Sequence, residues 1–257
     1  MTLLIIAYIF VVGIVLGSFY NVVALRVPAK ESIVHPPSAC PKCSAKLRPR
    51  DLMPVLSWLL SRGRCRYCAT PVSALYPLGE LATGALFVWV YMLHGWSWET
   101  LTGALLVSLC VIITVSDLKY MLIPNKVLLF FFPLLAGASL FSSLDEGWGG
   151  AGSALLGAAA GGGIIILVAL LSRGGMGMGD AKLMLVCGFV LGLPKILLAF
   201  IIACMLGTVV GGALLLLKLV KPKQHIPFGP YLAAGTLIAY AYGTSLIHGY
   251  LTLIGSH

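Results

Sequence analysis

The chain has 257 residues, of which 60% are hydrophobic and 10% charged, with a mean hydropathy of +1.02 and a net charge of +9. A soluble domain carries about 25% charged residues, so this composition excludes a water-soluble globular protein and predicts one that crosses a bilayer repeatedly. The positive charge is that of loops on one side of a membrane, and no interleaving of aromatic and basic residues points to nucleic acid.

In chain order, apolar runs of spanning length predict an all-α fold. About eight spans lie near 3–24, 75–94, 99–116, 126–143, 150–171, 181–193, 196–217 and 229–252. The first run has no basic residue before it and is followed by Arg26 and Lys30, so it is expected to be an uncleaved first span and not a signal peptide. Eight spans return both termini to one side. On the opposite side lie nine basic residues between Arg26 and Arg66, then Lys119, Lys126, Arg173, Lys182, Lys218, Lys221 and Lys223, which is 16 of 17. Lys195, Glu99, Asp145 and Glu146 fall on the side of the termini. By the positive-inside rule the basic side is cytoplasmic. The short sixth span is expected to be tilted, or to begin inside a glycine loop. The expected division is a first span at 1–25, a cytoplasmic segment at 26–74 and a membrane domain at 75–257. The glycine-rich run Gly147–Gly163 is expected to be a close helix-packing face.

Within the cytoplasmic segment, Cys40-Pro-Lys-Cys43 and Cys65-Arg-Tyr-Cys68 are separated by 21 residues. Two such pairs are the ligand set of a tetrahedral zinc site, which would close a segment with too few apolar residues for a core of its own. Nearby Lys42, Lys46, Arg48, Arg64 and Arg66 would favour the thiolates. A redox dithiol pair and two structural disulfides are the other readings, and a reducing cytoplasm disfavours the second. Four thiolates leave no open position, so this Zn²⁺ would be structural. Cys110, Cys187 and Cys204 lie inside apolar runs and are expected to be core residues.

Two acids stand out at the ends of apolar runs on the cytoplasmic side. Asp117 lies in Ser116-Asp-Leu-Lys-Tyr-Met-Leu-Ile-Pro-Asn125, and Asp180 closes Gly175-Met-Gly-Met-Gly-Asp180 ahead of Lys182. A carboxylate at a membrane boundary is costly unless solvated, paired or used. Singly, Asp180 could cap a helix and Asp117 could pair with Lys119 or Lys126. Together they could form a dyad that shares a proton, with Gly177 and Gly179 allowing another backbone to approach closely. No Gly-x-Ser-x-Gly or His-Glu-x-x-His motif is present. Two other readings compete. A transporter would use both acids as proton or cation sites but would place them near the midplane, and a scaffold held by the zinc loop leaves the Asp-Gly arrangement unexplained.

The ordered motifs make the resemblance specific. They are Gly17-Ser-Phe-Tyr-Asn21 with Arg26 and Pro28, both cysteine pairs, Pro54-Val-Leu-Ser-Trp58 and Arg62-Gly-Arg-Cys65. Tyr76-Pro with Glu80-Leu81, Asp117 with Ile123-Pro-Asn125, Gly177-Met-Gly-Asp180-Ala-Lys182-Leu183 and Pro227-Phe-Gly-Pro230 follow. In these the chain resembles the type IV prepilin peptidases, GxGD-type aspartyl proteases that process pilins and the pseudopilins of type II secretion and competence. The resemblance implies a multi-pass protein of the bacterial plasma (inner) membrane with Asp117 and Asp180 as the catalytic pair. It also implies cleavage of prepilin or pseudopilin substrates after a glycine, then N-methylation of the new terminus with S-adenosyl-L-methionine. The related archaeal preflagellin peptidases lack the cysteine loop, so its presence favours the bifunctional bacterial branch. Glu80, beside the loop, is the residue this resemblance places near the methyl donor. Gly79 departs from the family, where Val or Ile is expected before the Glu.

Overall fold

The computed structural model describes residues 2–142, 148–171, 176–221 and 225–255; Gly147, Asp145, Glu146, Arg173, Gly175 and Lys223 lie outside them. Among the described residues the chain is all-helical: α1 (Thr2–Arg26), a 3₁₀ turn (Pro49–Asp51), α2 (Leu56–Leu60), α3 (Leu75–His94), α4 (Trp98–Tyr120), α5 (Asn125–Ser142), α6 (Trp148–Leu171), α7 (Met178–Leu216) and α8 (Gly229–Ile254). Six of these are long and apolar enough to cross a bilayer, and a shorter apolar helix spans Asn125–Phe141.

The central strut is α4. It is apolar all round and packs against α1, α3, α5 and α8, so Leu106, Leu109, Ile112 and Ile113 are almost wholly buried. Ser97 caps its start, accepting from the Thr100 amide at 3.3 Å, and Met121 ends it in the left-handed conformation at φ 51°. Asp117 therefore falls inside the last turn of α4, one residue beyond the expected span end at 116.

Expected as two spans, 181–193 and 196–217 fall within α7, which is broken between them at Gly192. The chain doubles back at this break. Gly192 sits at φ 74° and ψ 174°, and Pro194 follows. In a straight helix Met184 and Ile196 would be about 18 Å apart. Here the Met184 carbonyl and the Ile196 side chain both meet the position a Cβ on Gly161 would take. The turn needs the positive φ that glycine adopts without strain. With this hairpin, the long helical segments among the described residues number eight: α1, α3, α4, α5, α6, the two arms of α7, and α8.

The glycine run does form a packing face. A Cβ on Gly157 would overlap the Gly188 carbonyl, a Cβ on Gly188 would overlap the Gly157 carbonyl, and Gly161 lies as tightly on Met184. Gly152 and Gly163 face open space, so only one side of α6 is committed. Close backbone approach replaces the hydrophobic driving force that is missing between helices in lipid.

Candidate active site and thiolate cluster

Asp117 comes from the last turn of α4 and Asp180 from the first turn of α7, and both are buried. The Gly229 amide at the start of α8 donates to Asp117 Oδ2 at 2.8 Å. The Gly177 amide donates to Asp180 Oδ2 at 3.2 Å. Asp180 thus reaches back from the third position of its helix to the capping residue, which is one half of a capping box. The helix-capping reading is correct as far as it goes, and the cap leaves Oδ1 without a protein donor among the described residues. The same holds for Asp117, and among those residues neither Lys119 nor Lys126 pairs with it. The two carboxyl groups lie close enough to act on one another electrostatically.

Each glycine around the pair has a steric reason. A Cβ on Gly229 would come within 2.7 Å of Asp117 Oδ2, and one on Gly179 within 2.9 Å of Ile123 Cβ. Gly177 is less tight, at 3.3 Å from Asp180 Oδ2. Lys182 reaches from α7 to Asn125 at the head of α5, with Nζ donating to Oδ1 at 3.1 Å. Of these neighbours, the sequence reading assigned no role to Gly229, Ile123 or Asn125. All three lie in the ordered motifs, which was the available signal.

Glu80 is held elsewhere. It is buried on α3, where Oε2 accepts from the Val55 amide at 2.7 Å. Val55 is a β-branched residue at φ 59°, a conformation that such residues rarely adopt. Asn21 lies alongside, its Nδ2 donating to the Tyr76 carbonyl at 3.0 Å, and a Cβ on Gly79 would approach Asn21 Oδ1 at 2.9 Å. In this conformation the Glu80 carboxylate ties the 26–74 segment to the membrane helices.

The four loop cysteines come together, with all their Sγ atoms within 4.8 Å of one another and Cys40 and Cys68 at 3.8 Å. Four sulfurs at about 2.3 Å from one tetrahedral ion are about 3.8 Å apart, so the cluster fits zinc. The two halves are near copies. In each, a short antiparallel bridge closes the turn (Ala39 with Lys46, Arg64 with Pro71), and the residue after the second cysteine, Ser44 or Ala69, has φ 55°. The Thr70 hydroxyl and amide hold the Cys68 thiol down to about 6. Cys43 is pushed up to about 11: the Ala45 amide favours its thiolate, but burial and the Cys68 and Cys40 sulfurs outweigh it. Crowded sulfurs of this kind ionise together only around a cation. Of the basic residues expected to support them, Arg66 instead pairs with Asp51 at 3.5 Å, and Tyr67 donates to the same carboxylate at 2.9 Å.

Residues 11–94 match the bacterial peptidase A24 N-terminal domain, and residues 104–212 match the type IV leader peptidase family. A prepilin leader peptidase/N-methyltransferase of Bacillus subtilis is 40% identical over 95% of this chain and 97% of its own length. Proteins of the same name from Aeromonas hydrophila and Neisseria gonorrhoeae are 36% and 34% identical, over 95% and 92% of this chain and 93% and 90% of theirs. No solved structure matches. With that identity running through almost the whole chain, and with an all-helical membrane fold, the chain belongs to the type IV leader peptidase family.

Proposed function

We propose that this protein cleaves the basic leader from prepilin-like substrates at the membrane boundary, with Asp117 and Asp180 as the catalytic dyad. The observation that carries this reading is the pair of buried carboxyl groups. Each is anchored through Oδ2 by a glycine amide, one at the start of α7 and one at the start of α8, and they lie close enough to act on one another electrostatically. One carboxylate, ionised, takes a proton from water as the water oxygen attacks the carbonyl carbon after the leader's last residue, a glycine. The other, protonated, donates to the carbonyl oxygen. Collapse of the tetrahedral intermediate breaks the C–N bond, and the proton taken from water passes to the leaving amine. Like charges at short range favour a state in which the pair shares one proton.

The terminal-turn position of both acids favours this over transport, which needs them near the midplane. A substrate with a basic leader in the cytoplasm and an apolar helix in the bilayer presents its scissile bond at that depth. We place this end of the bundle, and the 26–74 segment, on the cytoplasmic face of the plasma membrane, because the basic residues gather there. The segment is a zinc-stabilised unit between the first span at 1–25 and the peptidase domain at 75–257, with Cys40, Cys43, Cys65 and Cys68 as ligands. The relatives' names carry a second activity, N-methylation. For it, S-adenosyl-L-methionine supplies the methyl group to the new amino terminus. Glu80 serves it by holding the segment in place through Val55.

The test is cleavage of a prepilin-like peptide in detergent, read by product mass with and without S-adenosyl-L-methionine. Asp117→Asn and Asp180→Asn are each expected to lower the rate by about 10²–10⁴-fold or more while remaining folded. Normal cleavage by both variants would sink the dyad. A product heavier by one methyl group only when the methyl donor is present would establish the second activity.

A further inference from the structure

Leu52, Met53, Leu56, Leu59 and Leu60 form a run of exposed apolar side chains on and just before α2, with Leu60 at 75%. Elsewhere α2 is fastened to its own segment. Trp58 Nε1 donates to the Val72 carbonyl at 3.1 Å, and a Cβ on Gly63 would meet the Trp58 ring at 2.9 Å. Exposed Arg48 and Arg50 precede the run, and exposed Arg62 and Arg64 follow it. The depth of this run is set by Glu80, which holds the Val55 amide at the head of α2. Helices α3 and α4 form an antiparallel pair joined by a short turn at Gly95. A Cβ on Gly103 would come within 2.6 Å of Val90 Cγ1, so these two residues share one level. From that level Glu80 lies ten residues along α3, about 15 Å, and Asp117 lies fourteen along α4, about 21 Å. The start of α2 is therefore about 6 Å nearer the middle of the bilayer than Asp117.

We infer that the strip Leu52–Leu60 is seated in the cytoplasmic leaflet, with its apolar side chains among lipid acyl chains and the flanking arginines at the headgroup phosphates. The inference rests on the placement of the dyad at the membrane boundary. Interfacial helices bury their apolar face about 5–10 Å into the boundary between headgroups and acyl chains, and the depth of α2 falls in that range. Arginine suits the flanks, because its long stem lies along apolar surface while the guanidinium binds phosphate. A contiguous exposed patch of five large apolar residues marks an interaction surface, and at this depth the surface beside it is lipid. The 26–74 segment, read from sequence as wholly cytoplasmic, then has one strip inserted in the membrane.

The test is site-specific photo-crosslinking of the full chain in vesicles of phosphatidylethanolamine and phosphatidylglycerol. The photoreactive residue p-azidophenylalanine replaces Leu56, Leu59 or Leu60 in turn, and mass spectrometry reads the fraction of each position joined to phospholipid. Leu156, exposed on the spanning helix α6, is the lipid-facing reference, and Lys46, exposed on the first cysteine turn, is the aqueous one. Leu59 and Leu60 are expected to give lipid adducts at a level close to Leu156 and several times that of Lys46. Leu60 is the most exposed of the three, so its replacement disturbs least and decides alone should the others fail to fold. Lipid adducts at Leu60 no more frequent than at Lys46, or adducts there mainly with a second protein chain, would overturn the insertion. A failed cleavage assay would not, because the insertion depends on the depth of the dyad and not on its chemistry, so the two failures are distinguishable.

Discussion

Lys182 Nζ donates to Asn125 Oδ1 at 3.1 Å, and this bond joins the two stretches that carry the aspartates. Asn125 opens α5 just after the turn that follows Asp117, and Lys182 lies two residues beyond Asp180 on α7. The bond spans 57 positions of sequence and is exposed.

Lys182→Met and Asn125→Ala are therefore expected to weaken cleavage without abolishing it. The bond is exposed, and a partly solvated polar pair contributes about 0–1 kcal/mol, a loss of up to about fivefold in rate. A double-mutant cycle on kcat/KM checks it, with the double variant no worse than the worse single one. Full additivity would show that the two residues act separately.

The glycines of α6 are expected to divide by what lies opposite them. Gly157→Ala drives a methyl group into the Gly188 backbone and should destabilise the protein by about 1–3 kcal/mol. Gly152→Ala meets open space and should be neutral, or stabilising by about 0.5–1 kcal/mol through helix propensity. Thermal unfolding in detergent compares them. Equal effects would contradict the packing described for α6 and α7.

Metal at the cysteine cluster should depend steeply on pH. The Cys68 thiol, held down to about 6 first by the Thr70 hydroxyl, is ionised above that pH and protonated below it. Its contribution to metal binding is therefore present at neutral pH and lost as pH falls through about 6. Bound zinc, measured per protein by mass spectrometry after dialysis, should be near stoichiometric at pH 7 and largely released at pH 5. Cys43→Ser should prevent loading at both. Retention of metal by Cys43→Ser would remove that residue from the ligand set.

Glu80→Gln should loosen the 26–74 segment. The Val55 amide loses a charged acceptor, a bond worth about 1.5–3 kcal/mol, and the strained Val55 backbone loses what holds it at φ 59°. Faster limited proteolysis within 26–74, with the membrane helices intact, is the expected result. Methylation should fall more than cleavage. Unchanged proteolysis would show that Glu80 does not tie the segment down.

Local chemistry made much of this protein legible from sequence. Spanning helices announce themselves because lipid demands long apolar runs. The two aspartates stand out because a charge at the end of such a run is expensive. The thiolate cluster follows from cysteine spacing, because two residues between ligands suit one turn around an ion. Tertiary structure decided what spacing does not encode. The reversal inside α7 depends on the backbone of one glycine among 30, Gly192, which nothing in its own side chain distinguishes. The Gly229 amide anchors Asp117 from 112 positions away, through a backbone group that every non-proline residue possesses. Glu80 was visible as an acid, but its engagement with Val55 appears only when α3 and the segment are brought together. Side-chain type and periodicity mark out the elements and the charges; backbone donors and missing side chains build the site, and these acquire meaning only from what folds against them.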